Sequence, residues 1–359
     1  MTRVLIIDPQ FEDDPDIERE VAGEGVAFEI VRPGDGEVPA GPLREADAVV
    51  NCRSRHRLPA HLVAEMRRAK VVVQAGVGFN HIDIEACARR GIPVCNTPDY
   101  GTLEVADHTL GLLLALTRGT TAYHRRLLRR DDAWSTKELP VAPVRRMRGR
   151  VFGIVGLGRI GLAVAARAAA FRMRVAFHDP WLPAGVEHSL GYRRTETLDE
   201  LLGRSDVVSL HCPLTPETAR LVDDRAIAAM KPDAILINTS RGGTVDIDAV
   251  ERGLRSGKLL AAALDVLPVE PLDRSHPLIA AWSREEAWLE GRLVLTPHAA
   301  FYTPESLADM RRLSMLAVVR FLREGRLRSC VNLDALRANG HEPEAVRDGV
   351  REELRRRAG

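Results

Sequence analysis

The chain has 359 residues, 45% of them hydrophobic and 28% charged, with 51 basic against 50 acidic side chains and a formal net charge of +1. That length exceeds one ordinary core and predicts two domains, while the near-zero charge argues against a nucleic-acid or membrane surface. Five scattered cysteines form no metal-ligand spacing or evident disulfide frame, and the longest apolar run, Leu110 to Leu116, is too short to span a bilayer. The amino terminus runs straight into a strand, so a soluble cytoplasmic protein without a signal peptide is expected.

Val4 to Ile7 reads as a strand stopped by Asp8-Pro9. Phe28 to Val31, Ala48 to Asn51 and Val71 to Gln74 read as further strands, with Leu62 to Ala69 helical between the last two. Alternating strands and helices predict a parallel sheet, whose ligands sit at the carboxyl ends of its strands. Two such ends stand out. At one, Val77 and Gly78 lie in a glycine turn whose amides can hold a carboxylate. At the other, Arg53 and Arg55 are either anion ligands or solvated loop residues. Thr102 is placed to cap a long helix running towards Arg130. Its Leu110, Leu113, Leu114 and Leu116 exceed what one face requires, which leaves a partner subunit or burial in the same domain as explanations. Val144 to Arg150 reads as a solvated basic connector.

Val151 to Pro180 carries the strongest signal. An apolar strand enters Gly156-Leu157-Gly158-Arg159-Ile160-Gly161, an Ala-rich helix follows, and a second strand ends on Asp179, 18 residues after Gly161. Gly156 permits the tight turn, Gly158 lets backbone approach a pyrophosphate, and Gly161 lets the helix pack on its strand. The free amides of the helix start, at Arg159 and Ile160, then face the phosphates. Asp179 is spaced to accept from both ribose hydroxyls and would repel a 2'-phosphate, so NAD is expected rather than NADP. Beyond it, Asp206 to His211, Ala234 to Asn238, Leu260 to Val266 and Leu293 to Leu295 read as strands. The first of these ends in a loop, His211 to Thr218, where adenosine and nicotinamide contacts are expected, Cys212, Pro213 and Thr218 among them.

Arg241, Glu270 and His298 each follow one of these later strand ends. Reducing a 2-oxo acid needs a cation for the carboxylate, an acid for the new alkoxide and a group that keeps the acid charged. A guanidinium binds a carboxylate through two parallel hydrogen bonds. Imidazole donates or accepts a proton near neutral pH, and a paired carboxylate favours its charged form. Singly, each residue has a structural alternative: a loop salt bridge, an exposed acid or a core histidine.

Together the motifs GVGFNHID (76–83), GLGRIG (156–161), HCPLTPET (211–218), NTSRGG (238–243), DVLPVEP (265–271) and TPHAA (296–300) resemble the D-isomer-specific 2-hydroxyacid dehydrogenase family. The nearest branches are the C-terminal-binding proteins and the D-3-phosphoglycerate dehydrogenases. The resemblance implies two parallel-sheet α/β domains, Rossmann-like and flavodoxin-like, with the active site in the interdomain cleft. Residues 1–101 with 300–335 would form the substrate domain, 102–299 the NAD domain and dimer contact, and 336–359 a charged tail. It implies hydride transfer between nicotinamide C4 and substrate C2, with Arg241 on the carboxylate, Glu270 supporting the acid and His298 as acid/base. It also implies NAD contacts from Thr239, Arg241, Asp265, Cys212 and His298, and substrate contacts from Arg53, Val77, Gly78 and Phe301. No metal is implied.

Three departures stand against a simple transfer. Phe301 replaces a tryptophan of the animal corepressors, and the 28-residue step from Glu270 to His298 is long, with a helical insertion around Ala281 to Trp288 expected either to border the cleft or to pack on the outside. The tail from Glu342 matches nothing assigned. The expected activity is an NAD-dependent 2-oxo acid reductase. The alternatives are an NAD(H)-sensing corepressor or scaffold and a dehydrogenase acting on a phosphonate-type substrate.

Overall fold

The computed structural model describes residues 1–341 apart from 136 and 138. The tail expected from Glu342 lies outside the described residues. The chain divides into two compact units, Met1–Gly101 with the chain from Thr303, and Thr102–Tyr302.

The first unit is built on five parallel strands: β1 Thr2–Ile7, β2 Val26–Val31, β3 Ala48–Asn51, β4 Val71–Gln74 and β5 Val94–Asn96, in the order β2-β1-β3-β4-β5. Val4 and Ile6 of β1 face one apolar cluster while Leu5 and Ile7 face the other, the period-two alternation of a sheet covered on both sides. Helix Pro304–Glu324 covers one face. Thr303 caps it in a box with Ser306, and Met310, Met315 and Val318 are buried against the strands. The helix read at Leu62 to Ala69 is observed earlier, at Ala60–Glu65, because Pro59 starts it in extended backbone. The carboxyl-terminal boundary expected at 335 cuts through helix Leu333–Ala338, whose Leu336 is fully buried.

The second unit is a seven-stranded parallel sheet: β6 Val151–Val155, β7 Arg174–His178, β8 Arg193–Arg194, β9 Val207–Leu210, β10 Ala234–Asn238, β11 Leu259–Leu264 and β12 Leu293–Leu295. Their order, β12-β11-β10-β9-β6-β7-β8, reverses direction between β6 and β9, which places a switch point at the glycine turn. β8 is a two-residue arginine edge with no apolar run to reveal it.

Several local expectations change. The helix from Thr102 stops at Thr117, because Gly119 adopts a left-handed φ of 66°, and a second helix, Thr120–Arg129, follows. Thr102 is the first helical residue rather than the cap, and its buried hydroxyl has no partner among the described residues. The leucines of that helix need no partner subunit: Leu110, Leu113 and Leu116 are buried in their own unit's core, packed with helix Arg159–Ala170. The basic connector is likewise only partly solvated, since Met147 is buried in that core and accepts from the Thr117 hydroxyl. The insertion forms helix Pro277–Ser283 and a single turn, Ala287–Leu289. Leu278, Ala281 and Leu289 are buried in its unit's core, and Arg255 stacks 4.2 Å over Trp288. Its apolar side is committed to packing. No helix among the described residues is long and apolar enough to cross a membrane.

Candidate active site

In the glycine turn, a Cβ on Gly156 (φ 87°) would stand 2.9 Å from the Cys212 amide nitrogen, and one on Gly161 would stand 2.2 Å from the Gly156 carbonyl oxygen. Strand β6, helix Arg159–Ala170 and the loop after β9 therefore approach too closely for any other side chain. Gly158 differs: a Cβ there meets nothing within 4 Å. It is the residue before the helix, no side chain caps that end, and Arg159 and Ile160 open the first turn. Open space in front of an uncapped helix start fits a dinucleotide pyrophosphate. Asp179 closes the turn, accepting from the Leu157 amide at 2.8 Å and from the Trp181 amide at 3.0 Å.

The loop after β9 is folded on itself. Thr218 donates to the Pro213 carbonyl at 2.6 Å and accepts from the Thr215 amide at 2.8 Å. Cys212 is buried, and burial pushes its thiol up to about 11, so it presents a neutral apolar surface. His211 is held by Ser209 at 2.8 Å, and burial takes its pKa down to about 3. Thr239, at the end of β10, is buried and pairs with Thr109 at 3.0 Å.

Arg241, Glu270 and His298 all belong to the second unit. The Arg241 carbonyl accepts from Asn238 at 2.9 Å and Thr244 at 2.7 Å, and its guanidinium donates to the Ser240 carbonyl at 2.6 Å. Next to it, a Cβ on Gly242 would lie 1.9 Å from the Leu267 carbonyl, so the Arg241 turn and the turn carrying Glu270 are in direct backbone contact. Glu270 accepts from the Leu267 amide at 3.0 Å through one oxygen and meets His298 Nδ1 at 2.7 Å with the other. Burial pushes this carboxyl up. The His298 hydrogen bond and charge, the Leu267 amide and the Arg241 charge together outweigh it, and the pKa ends below the ordinary value. His298 sits at φ 53°, a left-handed conformation uncommon outside glycine, with its amide donating to the Asp265 carbonyl at 2.8 Å. The Phe301 ring meets it edge-on, with centroids 6.2 Å apart. With Nδ1 turned to Glu270, Nε2 is the ring nitrogen with no hydrogen-bond partner among the described residues.

Asp265, expected as a cofactor contact, is engaged within its own unit. Its side chain is 1% exposed and accepts from the Thr296 hydroxyl at 2.6 Å and the amides of Ala299 at 2.9 Å and Ala300 at 3.0 Å. It thereby clamps the segment on both sides of His298. His108 completes the clamp from helix Thr102–Thr117, 3.1 Å from the Thr296 hydroxyl and 3.6 Å from Asp265. Sequence reading missed His108, Thr109 and Thr296, because nothing in a helical DHT triplet shows which strand end it faces.

In the first unit, the two arginines separate. Arg55 binds Asp8 through Nη2 at 2.6 Å, beside His56 at 2.8 Å from the same oxygen. Asp8 is held below the ordinary carboxylate range: burial opposes this, and the His56 and Arg55 contacts prevail. Arg53 is exposed, and its guanidinium has no ion-pair partner among the described residues. The turn after β4 is fixed by Thr97, whose hydroxyl accepts from the Gly76 amide at 2.6 Å, and by Asn96, which donates to the Val77 carbonyl at 2.7 Å. The amides of Val77 and Gly78 donate to no acceptor among the described residues.

Residues 110–300 match the family profile described as the D-isomer specific 2-hydroxyacid dehydrogenase, NAD binding domain. A glyoxylate reductase from Aeropyrum pernix is 36% identical over 81% of this chain and 84% of its own length. A D-3-phosphoglycerate dehydrogenase from Methanocaldococcus jannaschii is 35% identical over 85% of this chain, and the match spans 55% of that relative, about half its length. Among solved structures, a D-lactate dehydrogenase from Aquifex aeolicus, complexed with NAD and lactic acid, superposes with a TM-score of 0.75 at 29% identity, covering 94% of this chain and 98% of that one.

Proposed function

The chain belongs to the D-isomer-specific 2-hydroxyacid dehydrogenases and carries their NAD-binding domain, and from that premise we propose that it interconverts a small 2-oxo acid and its D-2-hydroxy acid. The observation that carries this reading is the 2.7 Å pair between Glu270 and His298 Nδ1, lying on turns tied to that of Arg241. Bound NADH supplies the hydride. Gly156, Gly158, Arg159, Ile160, Gly161 and Asp179 would hold it, with the Cys212 to Thr218 loop and Thr239. The Asp179 charge disfavours a 2'-phosphate. The Arg241 guanidinium binds the substrate carboxylate in a fork and polarises the carbonyl. His298 donates its Nε2 proton to the carbonyl oxygen in reduction and takes it back in oxidation, while Glu270 holds the ring and stabilises its charged form. The free amides of Val77 and Gly78 support a carboxylate contact. The unpaired Arg53 favours substrates bearing a second anionic group, phosphonates included. Phe301, against the His298 ring, is assigned to substrate fit.

A homodimer through the NAD-binding unit is part of the same reading, supported by Leu128, Trp134 and Leu139, which expose 73%, 86% and 55% of their surface within twelve residues. A sedimentation mass equal to the 39.6 kDa chain at micromolar protein would refute it.

The test is NADH oxidation against glyoxylate, pyruvate, hydroxypyruvate, branched 2-oxo acids, 3-phosphohydroxypyruvate and phosphonopyruvate, with His298→Ala run alongside. Turnover of at least one oxo acid, reduced at least about 100-fold in the variant, is the expected outcome. NADH binding without turnover of any of them would overturn the reductase reading.

A further inference from the structure

The two cysteines of the first unit that stand closest in space are 235 positions apart in sequence. Cys95 lies in the middle of β5 and Cys330 on the segment that returns after helix Pro304–Glu324, and the two pair across an antiparallel bridge. The flanking bonds define the pairing: the Asn96 amide donates to the Ser329 carbonyl at 3.1 Å and the Val331 amide to the Val94 carbonyl at 2.8 Å. Bonds placed on either side of a residue pair, with none between its two members, mark the non-hydrogen-bonded position of an antiparallel ladder. There the α-carbons are about 4.5 Å apart and the side chains stand closest. That spacing falls inside the span of about 4.4 to 6.8 Å that a disulfide requires. Cys95 is fully buried and Cys330 is partly exposed, so solvent reaches the pair from one side.

From this geometry we infer that Cys95 and Cys330 form a reversible disulfide that clamps the returning segment to the edge strand β5. The chemistry balances with a low-molecular-weight disulfide as oxidant. The Cys330 thiolate attacks one sulfur of that disulfide and expels one thiol. Cys95 then loses its proton and attacks Cys330 sulfur, and the second small thiol leaves with that proton. Two protein thiols are oxidised and one disulfide is reduced to two thiols. The acidities run the right way. The contact between the two thiols lowers the Cys330 pKa and raises that of Cys95, while the Cys330 thiol donates to Asn332 Oδ1 at 3.3 Å. Burial pushes Cys52 and Cys87 up to about 12 and Cys212 up to about 11, so Cys330 rather than these three is the thiol that first attacks the reagent.

The clamp sits beside a functional turn. The residues that follow Cys95 directly, Asn96 and Thr97, hold the Gly76–Val77 turn, and Asn332 ties the returning segment to the Val94 amide at 2.8 Å and to the Ile84 and Ile92 carbonyls.

The experiment treats the full-length protein with oxidised glutathione, then counts thiols under denaturing conditions and maps peptides without reduction. The expected result is loss of two of the five thiols, a single crosslinked pair containing Cys95 and Cys330, and full reversal by dithiothreitol. In hydrogen exchange the Asn96 and Val331 amides slow several-fold on oxidation, and Cys330→Ser shows neither crosslink nor slowing. Five free thiols after treatment, or a stable glutathione adduct on Cys330 with Cys95 still reduced, would overturn the inference. Both readings come from wild-type protein, so they hold even if the variant fails to fold.

Discussion

In the proposed reaction the chemistry concentrates on one nitrogen, Nε2 of His298, whose ring is fixed from the other edge by Glu270. Glu270→Gln keeps the size and a hydrogen-bond acceptor but removes the charge that favours the protonated ring. Its reductive rate is expected to fall roughly 10- to 100-fold. An unchanged rate would mean that the Glu270 charge is not needed. The sign on the acid side follows from the depressed Glu270 pKa. Its charged pairing is complete above the ordinary carboxylate value of 4.5 and is lost only as pH falls through the lower folded value. Asp265 and His108 act one step further out, through the backbone that carries His298 at positive φ. Asp265→Ala removes the side-chain acceptor of the Ala299 and Ala300 amides and of the Thr296 hydroxyl, and kcat is expected to drop more than KM rises.

At the scale of elements, the glycine turn separates folding from binding. Gly158→Ala places its methyl in open space, so thermal stability is expected to stay near wild type while NADH affinity falls, as read by fluorescence titration. Gly161→Ala drives a methyl to 2.2 Å from the Gly156 carbonyl, and the helix must move off its strand. A loss of stability of about 1–3 kcal/mol or more is expected in denaturant unfolding. Equal effects from the two variants would mean that the pyrophosphate does not approach at Gly158. Gly119 shows the limit of pattern reading: a periodic apolar run continued past it, but a left-handed residue ends one helix and begins another.

For the whole molecule, acid is the predicted weakness. Asp8, Asp47, Asp206 and Glu270 all have folded pKa values below their ordinary ones despite burial, because hydrogen bonds and nearby cations outweigh it. Their stabilisation is present above about pH 4 and is lost as pH falls through the folded values. His211 adds a loss that begins earlier. Its folded pKa is about 3 against an ordinary 6.5, so the unfolded chain takes up a proton first and stability declines across that window. The melting temperature is expected to fall steadily from pH 7 to pH 4, and His211→Gln should flatten the upper part of that slope. A melting temperature independent of pH above 4.5 would contradict this assignment.

What the chain's own order of residues determined was whatever depends on neighbours in sequence. The strands at Ala48 to Asn51 and Val71 to Gln74, the glycine turn with its acid at Asp179, and the three strand-end residues Arg241, Glu270 and His298 were all legible, because strand period, turn chemistry and motif spacing are local properties. Tertiary structure decided which groups are engaged. Arg53 and Arg55 look alike in sequence, yet only Arg55 has Asp8 beside it. Asp265 shows in sequence nothing of the Ala299 and Ala300 amides that it accepts from. Cys95 and Cys330 become a pair only when the chain returns across β5. Each of these contacts joins residues more than thirty positions apart, and such pairings follow from the way sheets stack and turns meet, which no local pattern encodes.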